Sequence, residues 1–492
     1  MRSRSLRLTL LALACQALLT HRATGENLRP SAAPAPAKIV ECTFIFPKQW
    51  KEHVHSSSIV ELSDGALLAA WFQGSGERNA DDVRIMGARK PADMAEWGEP
   101  FVLADTPGHP DCNPVLWIDN DDRLWLFWSA ILANEWESSL VKYRVSTNYL
   151  AMSGSPQWDC QDYVHLQPTN FPQHMRSGWR QLIGTVLFVP RAIRAEFSGT
   201  SFTTFLANEW EVLFAVLLML VAPAAVHAWR RRRTGRSGWK RFALRASALY
   251  ASLLVVVGVA AVGYFSLQSQ SKLNQRLGWM TANKPVKLST GEIVLPLYSD
   301  RFIASIMAIS NDGGNSWQAS EPLVGYGNIQ PSLVETGSGE LVAWMRENGP
   351  RKRVRYSVSA DRGRSWSPVR ESALPNPGTK VAVTALDNGD WLVAYNPLVD
   401  GRHSLSLAIS NDEGHTWRPF HHLEDAASSE EGEFSYPCLI QTSDGSIHVT
   451  YTYRRTRDGA LRKSIRHVTL RRPEPASAPA VRLAEGIHGT VR

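Results

Sequence analysis

The chain has 492 residues, of which 44% are hydrophobic and 20% charged, and it carries a formal net charge of +7 at pH 7. The basic residues near the N-terminus and within residues 229–245 together carry more positive charge than this net value, so the rest of the chain is net acidic. The sequence therefore predicts no nucleic acid partner. The five cysteines show no Cys-x-x-Cys spacing and no nearby pair of histidines, so the sequence predicts neither a metal site nor another cofactor.

The N-terminus has the pattern of an exported protein. Arginines precede the short apolar run Leu8–Ala14, and small residues follow it. We predict a signal peptide over residues 1–24, with lipoprotein cleavage before Cys15 left open as the alternative, and an Ala/Pro linker over residues 25–38. In an oxidising compartment, disulfides would be permitted among the four remaining cysteines. These are Cys42, Cys112, Cys160 and Cys438.

Two β-hairpins are predicted after the linker. Ser58–Phe72 and Asn113–Trp128 each contain an apolar strand, a turn with Asp, Asn or Gly, and a second apolar strand. We assign residues 39–158 to the first part of a repeat fold.

An insertion over residues 159–275 interrupts this pattern. It contains two apolar runs, at about 210–228 and 247–267, each close to the length of about 20 residues that a helix needs to cross a bilayer. The loop between them, residues 229–246, holds many Arg and Lys residues and no acid. Because basic loops stay in the cytoplasm, we predict a transmembrane hairpin with both flanks outside. The folded part would then be membrane-anchored on the extracytoplasmic side, periplasmic or extracellular.

The same hairpin pattern recurs four more times after the insertion. The segments are Asn283–Tyr298, Gln330–Arg346, Lys380–Asn396 and Tyr436–Tyr453. Their turn glycines recur at steps of about 50 residues, the length of a four-stranded propeller blade. We therefore predict an all-β, six-bladed β-propeller whose blades 3 to 6 span residues 276–471, followed by a tail over 472–492. Propellers close by pairing strands from both termini, so Ile39–Phe46 and Ser464–Leu470 are expected to share the last blade.

A second repeat, S-x-D-x-G-x-[ST]-W, occurs three times, at residues 310–317, 359–366 and 410–417. Its Asp can bond backbone N–H groups and its Gly can adopt positive φ, which predicts a structural turn between the third and fourth strands of a blade. This motif is the Asp-box, and the chain resembles the sialidase superfamily of BNR-repeat proteins over most of residues 39–470. The resemblance implies a propeller of sialidase type that acts on glycans.

Functional groups of a propeller lie where its inner strands converge. Polar residues occupy the starts of the predicted hairpins and the ends of their second strands. They are His55, Asn113, Asn283, Gln330, Arg346, Asn376, Asn396, Arg402, Ser435 and Tyr436. A packed core would exclude such residues, so we predict a solvated funnel at these positions.

The resemblance implies roles for some of these residues. Sialidases hold the substrate carboxylate with three arginines; Arg346 and Arg402 match the second and third, and His55 stands where the first is expected. Asp82, with Asp81 close behind, matches the acid/base Asp. Substrate-binding roles are also predicted for Gln330, Asn376 and Asn396.

Tyr436 matches the tyrosine nucleophile of the family, although Phe434 could take that position in the alignment. Gln330 stands where the family has the Glu that activates the tyrosine, so another base, such as Glu347 or Glu433, would be required. Three hypotheses remain open. The first is a sialidase-like exo-glycosidase for a terminal acidic sugar, the second a carbohydrate-binding or scaffold propeller, and the third an enzyme of different specificity that uses His55 as acid/base.

Overall fold

The computed structural model describes residues 38–46, 52–150, 154–178, 267–325, 327–457 and 460–471. The predicted signal peptide, the linker before Lys38, the tail, and the two apolar runs with their basic loop (except Leu267) lie outside these residues, so they stay predictions. Among the described residues, no helix is long and apolar enough to cross a membrane. The described chain forms the propeller.

The first two blades are four-stranded antiparallel sheets in which strand order follows chain order. Blade 1 contains β2 (His53–Glu61), β3 (Leu67–Gly74), β4 (Arg84–Lys90) and β5 (Phe101–Ala104). Blade 2 contains β6 (Asp111–Ile118), β7 (Leu124–Ile131), β8 (Ser139–Ser146) and β9 (Cys160–Tyr163). β9 lies inside the predicted insertion of residues 159–275, so the first residues of that segment belong to blade 2, and the rest comes between blades 2 and 3 in the chain.

Short helical segments lie near both ends of the predicted insertion, and a 3-10 turn precedes β8. They are the 3-10 turn Trp136–Ser138, residues 171–178, residues 267–270 and the helix Lys272–Arg276.

Blades 3 to 5 repeat the same sheet, and the first of them has additional short strands. Blade 3 contains β10 (Met280–Thr281), β11 (Val286–Lys287), β12 (Ile293–Ser299), β13 (Ala304–Ser310), β14 (Gln318–Ala319) and β15 (Leu323–Val324). Blade 4 contains β16 (Asn328–Glu335), β17 (Leu341–Glu347), β18 (Arg353–Ser359) and β19 (Arg370–Pro375). Blade 5 contains β20 (Ala382–Ala385), β21 (Trp391–Tyr395), β22 (Ser404–Ser410) and β23 (Arg418–Asp425).

Blade 6 closes the ring with strands from both ends of the described chain. It contains β24 (Gly432–Gln441), β25 (Ile447–Arg457), β26 (Ala460–Arg471) and, as its outer strand, β1 (Lys38–Phe44). β1 pairs antiparallel with β26, so that Ile39 lies opposite Leu470 and Phe44 opposite Arg466. The six-bladed propeller and its predicted closure are therefore confirmed.

The three Asp-boxes lie between the third and fourth strands of blades 3, 4 and 5, as predicted. In the third box the Asp412 carboxylate accepts hydrogen bonds from Ser410 Oγ at 2.6 Å, the Thr416 backbone N–H at 2.8 Å and Thr416 Oγ1 at 2.6 Å. These bonds hold the loop in a fixed conformation. Gly414 has φ of +85°, and a Cβ there would lie 2.5 Å from a ring atom of Trp344 in blade 4.

Each box also joins its blade to the one before it. Trp417 packs edge-on against Trp344 of blade 4 with 5.3 Å between ring centroids, and Trp317 of blade 3 packs against Phe127 of blade 2 at 6.1 Å. The boxes therefore contribute to contacts between blades. Blades 1 and 2, which lack the motif, place Trp97 and Trp158 in the corresponding loops, and Trp97 Nε1 donates to His467 Nδ1 of blade 6 at 3.3 Å.

The four cysteines of the described chain are free thiols. Cys112 and Cys438 are buried, and Cys42 and Cys160 are exposed.

We predict that Asp412→Ala destabilises the protein by about 2 kcal/mol, because it removes an acceptor that holds Ser410 and Thr416 in the loop. Urea unfolding of the purified protein measures this change. The matched control is Asp93→Ala, at an exposed loop position of blade 1. Equal unfolding free energies for both variants would show that the box does not stabilise the blade.

Candidate active site

The predicted site residues lie on the face of the propeller opposite the Asp-boxes. In each blade, the turn between strands one and two and the loop between strands three and four lie at one end of the sheet, because neighbouring strands are antiparallel. The loop between strands two and three, and the start of the inner strand, therefore lie at the other end. His55, Arg346, Arg402 and Tyr436 all come from this second end.

The inner strands of four blades share a β-bulge at this end. Their pairing shifts register between His55 and Ser58, Cys112 and Val115, Ile329 and Ser332, and Ser435 and Cys438. Within each bulge one non-glycine residue has positive φ. These are Ser56 at 51°, Asn113 at 52°, Gln330 at 55° and Tyr436 at 55°. Such conformations are strained for bulky residues and tend to cluster at functional sites, where a bulge redirects a side chain.

Tyr436 is the centre of a hydrogen-bonded network across blades 3, 4 and 6. Its phenol oxygen accepts from Arg346 Nη1 at 3.1 Å and from Gln330 Nε2 at 3.2 Å. Arg346 Nη1 also donates to Gln330 Oε1 at 3.3 Å, and Gln330 Nε2 lies 3.3 Å from the Tyr298 hydroxyl. The Nε of Arg346 has no acceptor among the described residues. Tyr436 and Arg346 are both partly exposed, so they can contact a ligand.

Arg402 and His55 complete the surroundings of the Tyr436 ring. The Arg402 guanidinium carbon lies 5.9 Å from the ring centroid, and its Nη2 donates to the Gly378 carbonyl at 3.2 Å. The imidazole of His55 lies 4.1 Å from the Tyr436 ring, centroid to centroid. Residues from blades 1, 4, 5 and 6 thus meet around one tyrosine, and two of them carry a positive charge.

An acidic residue of blade 1 lies beside this group. Glu77 Oε1 is 3.0 Å from His53 Nε2, and the rings of His53 and His55 are 5.8 Å apart. Burial by itself raises the pKa of Glu77, but the hydrogen bond from His53 and the neighbouring positive groups lower it to about 2. Burial lowers the pKa of His55 to about 3, and the charges of Arg402 and Arg346 add to this effect. At neutral pH Glu77 is therefore a carboxylate and His55 a neutral imidazole.

A second carboxyl group has the opposite shift. Asp300, in the loop between β12 and β13, is largely buried, and this burial raises its pKa, while the charge of Arg346 lowers it and that of Glu137 raises it. Carboxyl groups whose surroundings move their pKa values apart can divide acid and base roles between them. The pKa of Asp300 is thus raised and that of Glu77 lowered, so the two carboxyl groups differ in the way that such a division requires.

The structure gives Asp82 a different setting from the one that the sequence predicted. Its carboxylate is exposed and accepts hydrogen bonds from the Ser75 backbone N–H at 3.1 Å and from Ser75 Oγ at 2.8 Å, which closes the loop that holds Glu77. Asp81 accepts a bond from Asn134 of blade 2 at 2.7 Å. Within this loop, Glu77 rather than Asp82 or Asp81 reaches the histidines beside Tyr436.

Asn376 and Asn396 are fully buried and bonded to the protein itself. The Asn376 amide donates to the Thr379 carbonyl at 2.8 Å, and the Asn396 amide donates to the carbonyls of Ser404 at 2.6 Å and Phe434 at 2.7 Å. Both side chains support the loops that carry the site. Neither side chain is exposed at the candidate site.

The structure also distinguishes Tyr436 from Phe434 as the candidate nucleophile, and it shows the surroundings of the two glutamates considered as its base. Phe434 is fully buried in the core between blades 5 and 6, whereas Tyr436 is partly exposed. Glu347 is fully buried and accepts a hydrogen bond from the backbone N–H of Arg351 at 2.7 Å. The Oε2 of Glu433 lies 3.3 Å from Arg454 Nη1. Tyr436 is therefore the residue of this pair that can meet a substrate, and both glutamates already have partners.

The sequence did not identify Glu77, Asp300 or Tyr298 as site residues. Tyr298 ends a predicted second strand, the position from which Arg346 was selected, so the hairpin pattern contained a signal for it. Glu77 and Asp300 lie in loops with no periodic pattern. Among the described residues, no group of three or more His, Cys, Asp and Glu side chains could hold a metal ion.

Comparison with known proteins agrees with this architecture. A family model described as a BNR repeat-like domain matches residues 65–212 and 266–449. A sialidase of Bacteroides fragilis is 28% identical over 178 residues, which is 34% of this chain and 32% of that protein. The match therefore spans about a third of the length of that relative.

Solved structures with similar folds include sialidases. A protein of unknown function from Dyadobacter fermentans has a TM-score of 0.57 and 14% identity, over 89% of this chain and 100% of that chain. The NanB sialidase from Streptococcus pneumoniae has a TM-score of 0.52 and 10% identity, over 87% of this chain and 70% of that chain. At such identities the likeness shows a common fold.

We predict that protonation of His55 destabilises the protein in acid. Its pKa is about 3 when folded and 6.5 when unfolded, so the unfolded chain binds more protons between these values and stability falls as the pH is lowered through them. His55→Asn should reduce the stability lost between pH 7 and pH 5 by about 2 kcal/mol. Urea unfolding at both pH values measures this, with His165→Asn, an exposed histidine, as the control. An unchanged pH dependence in His55→Asn would contradict the prediction.

Proposed function

The chain belongs to the BNR repeat-like domain family of the sialidase superfamily, and on this premise we propose that it is an exo-glycoside hydrolase for a terminal acidic sugar. The observation that carries the proposal is the placement of two arginines at Tyr436, with Arg346 bonded to its oxygen and Arg402 beside its ring. Arginine donors suit a carboxylate, the group that sialic and uronic acids present. The fold by itself would be compatible with glycan hydrolysis or with sugar binding.

In the proposed reaction, Tyr436 Oη attacks the anomeric carbon of the bound sugar and the bond to the leaving oxygen breaks. Asp300, whose raised pKa favours its protonated form, is proposed to donate a proton to that oxygen. Water then hydrolyses the glycosyl–tyrosine bond, which returns the phenol and releases the sugar. We favour Asp300 over Asp82 for the acid because Asp300 lies within the electrostatic influence of Arg346 and Asp82 is held by Ser75.

His55 is proposed to receive the Tyr436 proton. Burial lowers the pKa of His55, and the charges of Arg402 and Arg346 lower it further. A bound carboxylate offsets both positive charges, so substrate binding raises the proton affinity of the imidazole beside the nucleophile. This role needs no carboxylate at the position of Gln330.

One observation favours a second candidate, a propeller that binds acidic glycans without cleaving them. Among the described residues, the hydrogen-bond partners of the Tyr436 oxygen are Arg346 and the amide of Gln330, and both are donors. A Gln cannot accept a proton as the Glu of a sialidase would. Both candidates require the two arginines. Only the enzyme requires Tyr436 and Asp300 to react.

The experiment that separates them measures turnover of fluorogenic sialosides and uronides, with binding of the free acidic sugars followed by calorimetry. Arg346→Ala and Arg402→Ala should each weaken binding about 10- to 100-fold, since each removes a charge-assisted hydrogen bond. Tyr436→Phe should abolish turnover, and Asp300→Asn should lower it about 100-fold, with binding retained.

Arg364→Ala is the matched control, because Arg364 lies in an Asp-box on the opposite face. Binding without turnover of any substrate by the unaltered protein would establish the second candidate. Undiminished binding in both site arginine variants would rule out the proposed carboxylate contact.

We also propose that the propeller is extracytoplasmic and tethered by a hairpin of the two apolar runs, about 210–228 and 247–267. The apolar composition of these runs and the basic loop over 229–246 support this orientation. We predict that the full chain remains in the membrane fraction after alkaline carbonate washing. A chain with residues 205–270 replaced by a short Gly/Ser linker should be released, and release of both proteins alike would contradict the tether.

A further inference from the structure

Two lysines lie on the inner side of the ring, and neither belongs to the Asp-boxes or to the group described around Tyr436. Lys380, directly before blade 5, is 1% exposed, and Lys284, between β10 and β11 of blade 3, is partly exposed. Buried lysines normally pair with a carboxylate, because an isolated charge is costly to remove from water. These two lysines need another explanation.

The geometry brings the two lysines together near the propeller axis. The Asn283 amide nitrogen lies 3.1 Å from the Val381 carbonyl oxygen, so the residues next to Lys284 and Lys380 in sequence are in direct contact. The Lys284 ammonium donates to the Ile59 carbonyl of blade 1. Inner segments of blades 1, 3 and 5 therefore meet here.

Blade 6 contributes the remaining group beside the lysines. Cys438, on β24, has its Sγ 4.0 Å from Ser58 Oγ of the same inner strand that bonds Lys284. The electrostatic neighbours that act on Lys380 are Cys438 and Lys284, and the one that acts on Lys284 is Cys438. No carboxylate is among them.

The two ammonium groups differ in their partners. Lys284 has the Ile59 carbonyl, but Lys380 has no hydrogen-bond acceptor among the described residues. Burial lowers the pKa of Lys380 to about 8, with Cys438 acting to raise it and Lys284 to lower it. At pH 7 most of the Lys380 side chains still carry a proton, so this buried positive charge lies beside Lys284 and no carboxylate acts on it.

We propose that Lys284 and Lys380 bind a small inorganic anion of halide size on the propeller axis. The anion accepts hydrogen bonds from the Lys380 ammonium and from the Lys284 N–H groups that Ile59 leaves free. It supplies the missing negative charge where inner strands of blades 1, 3, 5 and 6 converge. Asn283 bonds both the Val381 and the Gln330 carbonyls, at 3.1 and 3.2 Å, so this site lies next to the inner strand of blade 4 that carries Gln330. The proposal is independent of any glycan activity.

Thermal unfolding of the full chain in detergent tests this proposal. The protein is heated at pH 7 and constant ionic strength while sodium bromide replaces sodium gluconate, an anion too large for such a site. Because an anion that binds only the folded state stabilises it by mass action, we expect the unfolding temperature to rise with bromide and then saturate. Lys380→Met, of similar length without charge, should lose this response.

Lys272→Met provides the matched control, since Lys272 is exposed on a short helix outside the ring interior. It should respond to bromide as the unaltered protein does. Equal unfolding temperatures in both salts, or an undiminished bromide response in Lys380→Met, would overturn the proposal.

Crystals soaked in bromide give a second readout that does not depend on the stability of a variant. An anomalous peak within about 3.5 Å of the Lys380 Nζ is expected for an N–H···Br⁻ contact. Peaks restricted to surface arginines would overturn the proposal even if Lys380→Met failed to fold.

Discussion

The pairing of β1 with β26 is the contact on which the rest of this structure depends. It makes the first described strand the outer strand of the last blade and so closes the ring. With the ring closed, blades 6 and 1 are neighbours, and His55 of blade 1 lies 4.1 Å from the ring of Tyr436 in blade 6. An open array of the same blades would leave these two residues at opposite ends. Closure thus creates the site as well as protecting the sheet edges.

Closure brings inner strands together, but bulges determine which side chains enter the space between them. Gln330 and Tyr436 both have φ of 55°, a conformation that costs free energy for side chains of their size. Hydrogen bonds offset part of this cost, because the Gln330 amide and Arg346 both donate to the Tyr436 oxygen. Packing within blades, with the turns of the Asp-boxes on the far face, supplies the stability that allows this strain. Structural and functional repeats therefore occupy opposite ends of the same sheets.

The interior of the ring has two polar regions with different charge balance. Around Tyr436, the charge of Arg346 lowers the pKa of Asp300 against the effect of burial. The carboxylate of Glu77 raises the pKa of His55, against burial and the charges of Arg402 and Arg346. Around Lys380 no such balance exists among the described residues. In the first region, the proposed acidic sugar would bring its carboxylate to the two arginines beside Tyr436. In the second, the proposed anion would balance the charge of Lys380.

The sequence determined the six hairpins, the positions of the boxes and the closing strands, because strand alternation and turn residues are local properties of the chain. The sequence also indicated which residues meet, because starts of inner strands, ends of second strands and the loops that follow lie at the same end of every blade. These residues are Arg346, Arg402, Tyr436, His55 and Gln330. Only the tertiary structure showed that Glu77, and not Asp82, reaches the histidines beside Tyr436, because both lie in one short loop whose composition favours neither. Glu77 contacts His53 and Asp82 contacts Ser75, and neither contact follows from a repeat in the sequence. The raised pKa of Asp300 also needed the tertiary structure, because it depends on burial and on charges that other blades bring near.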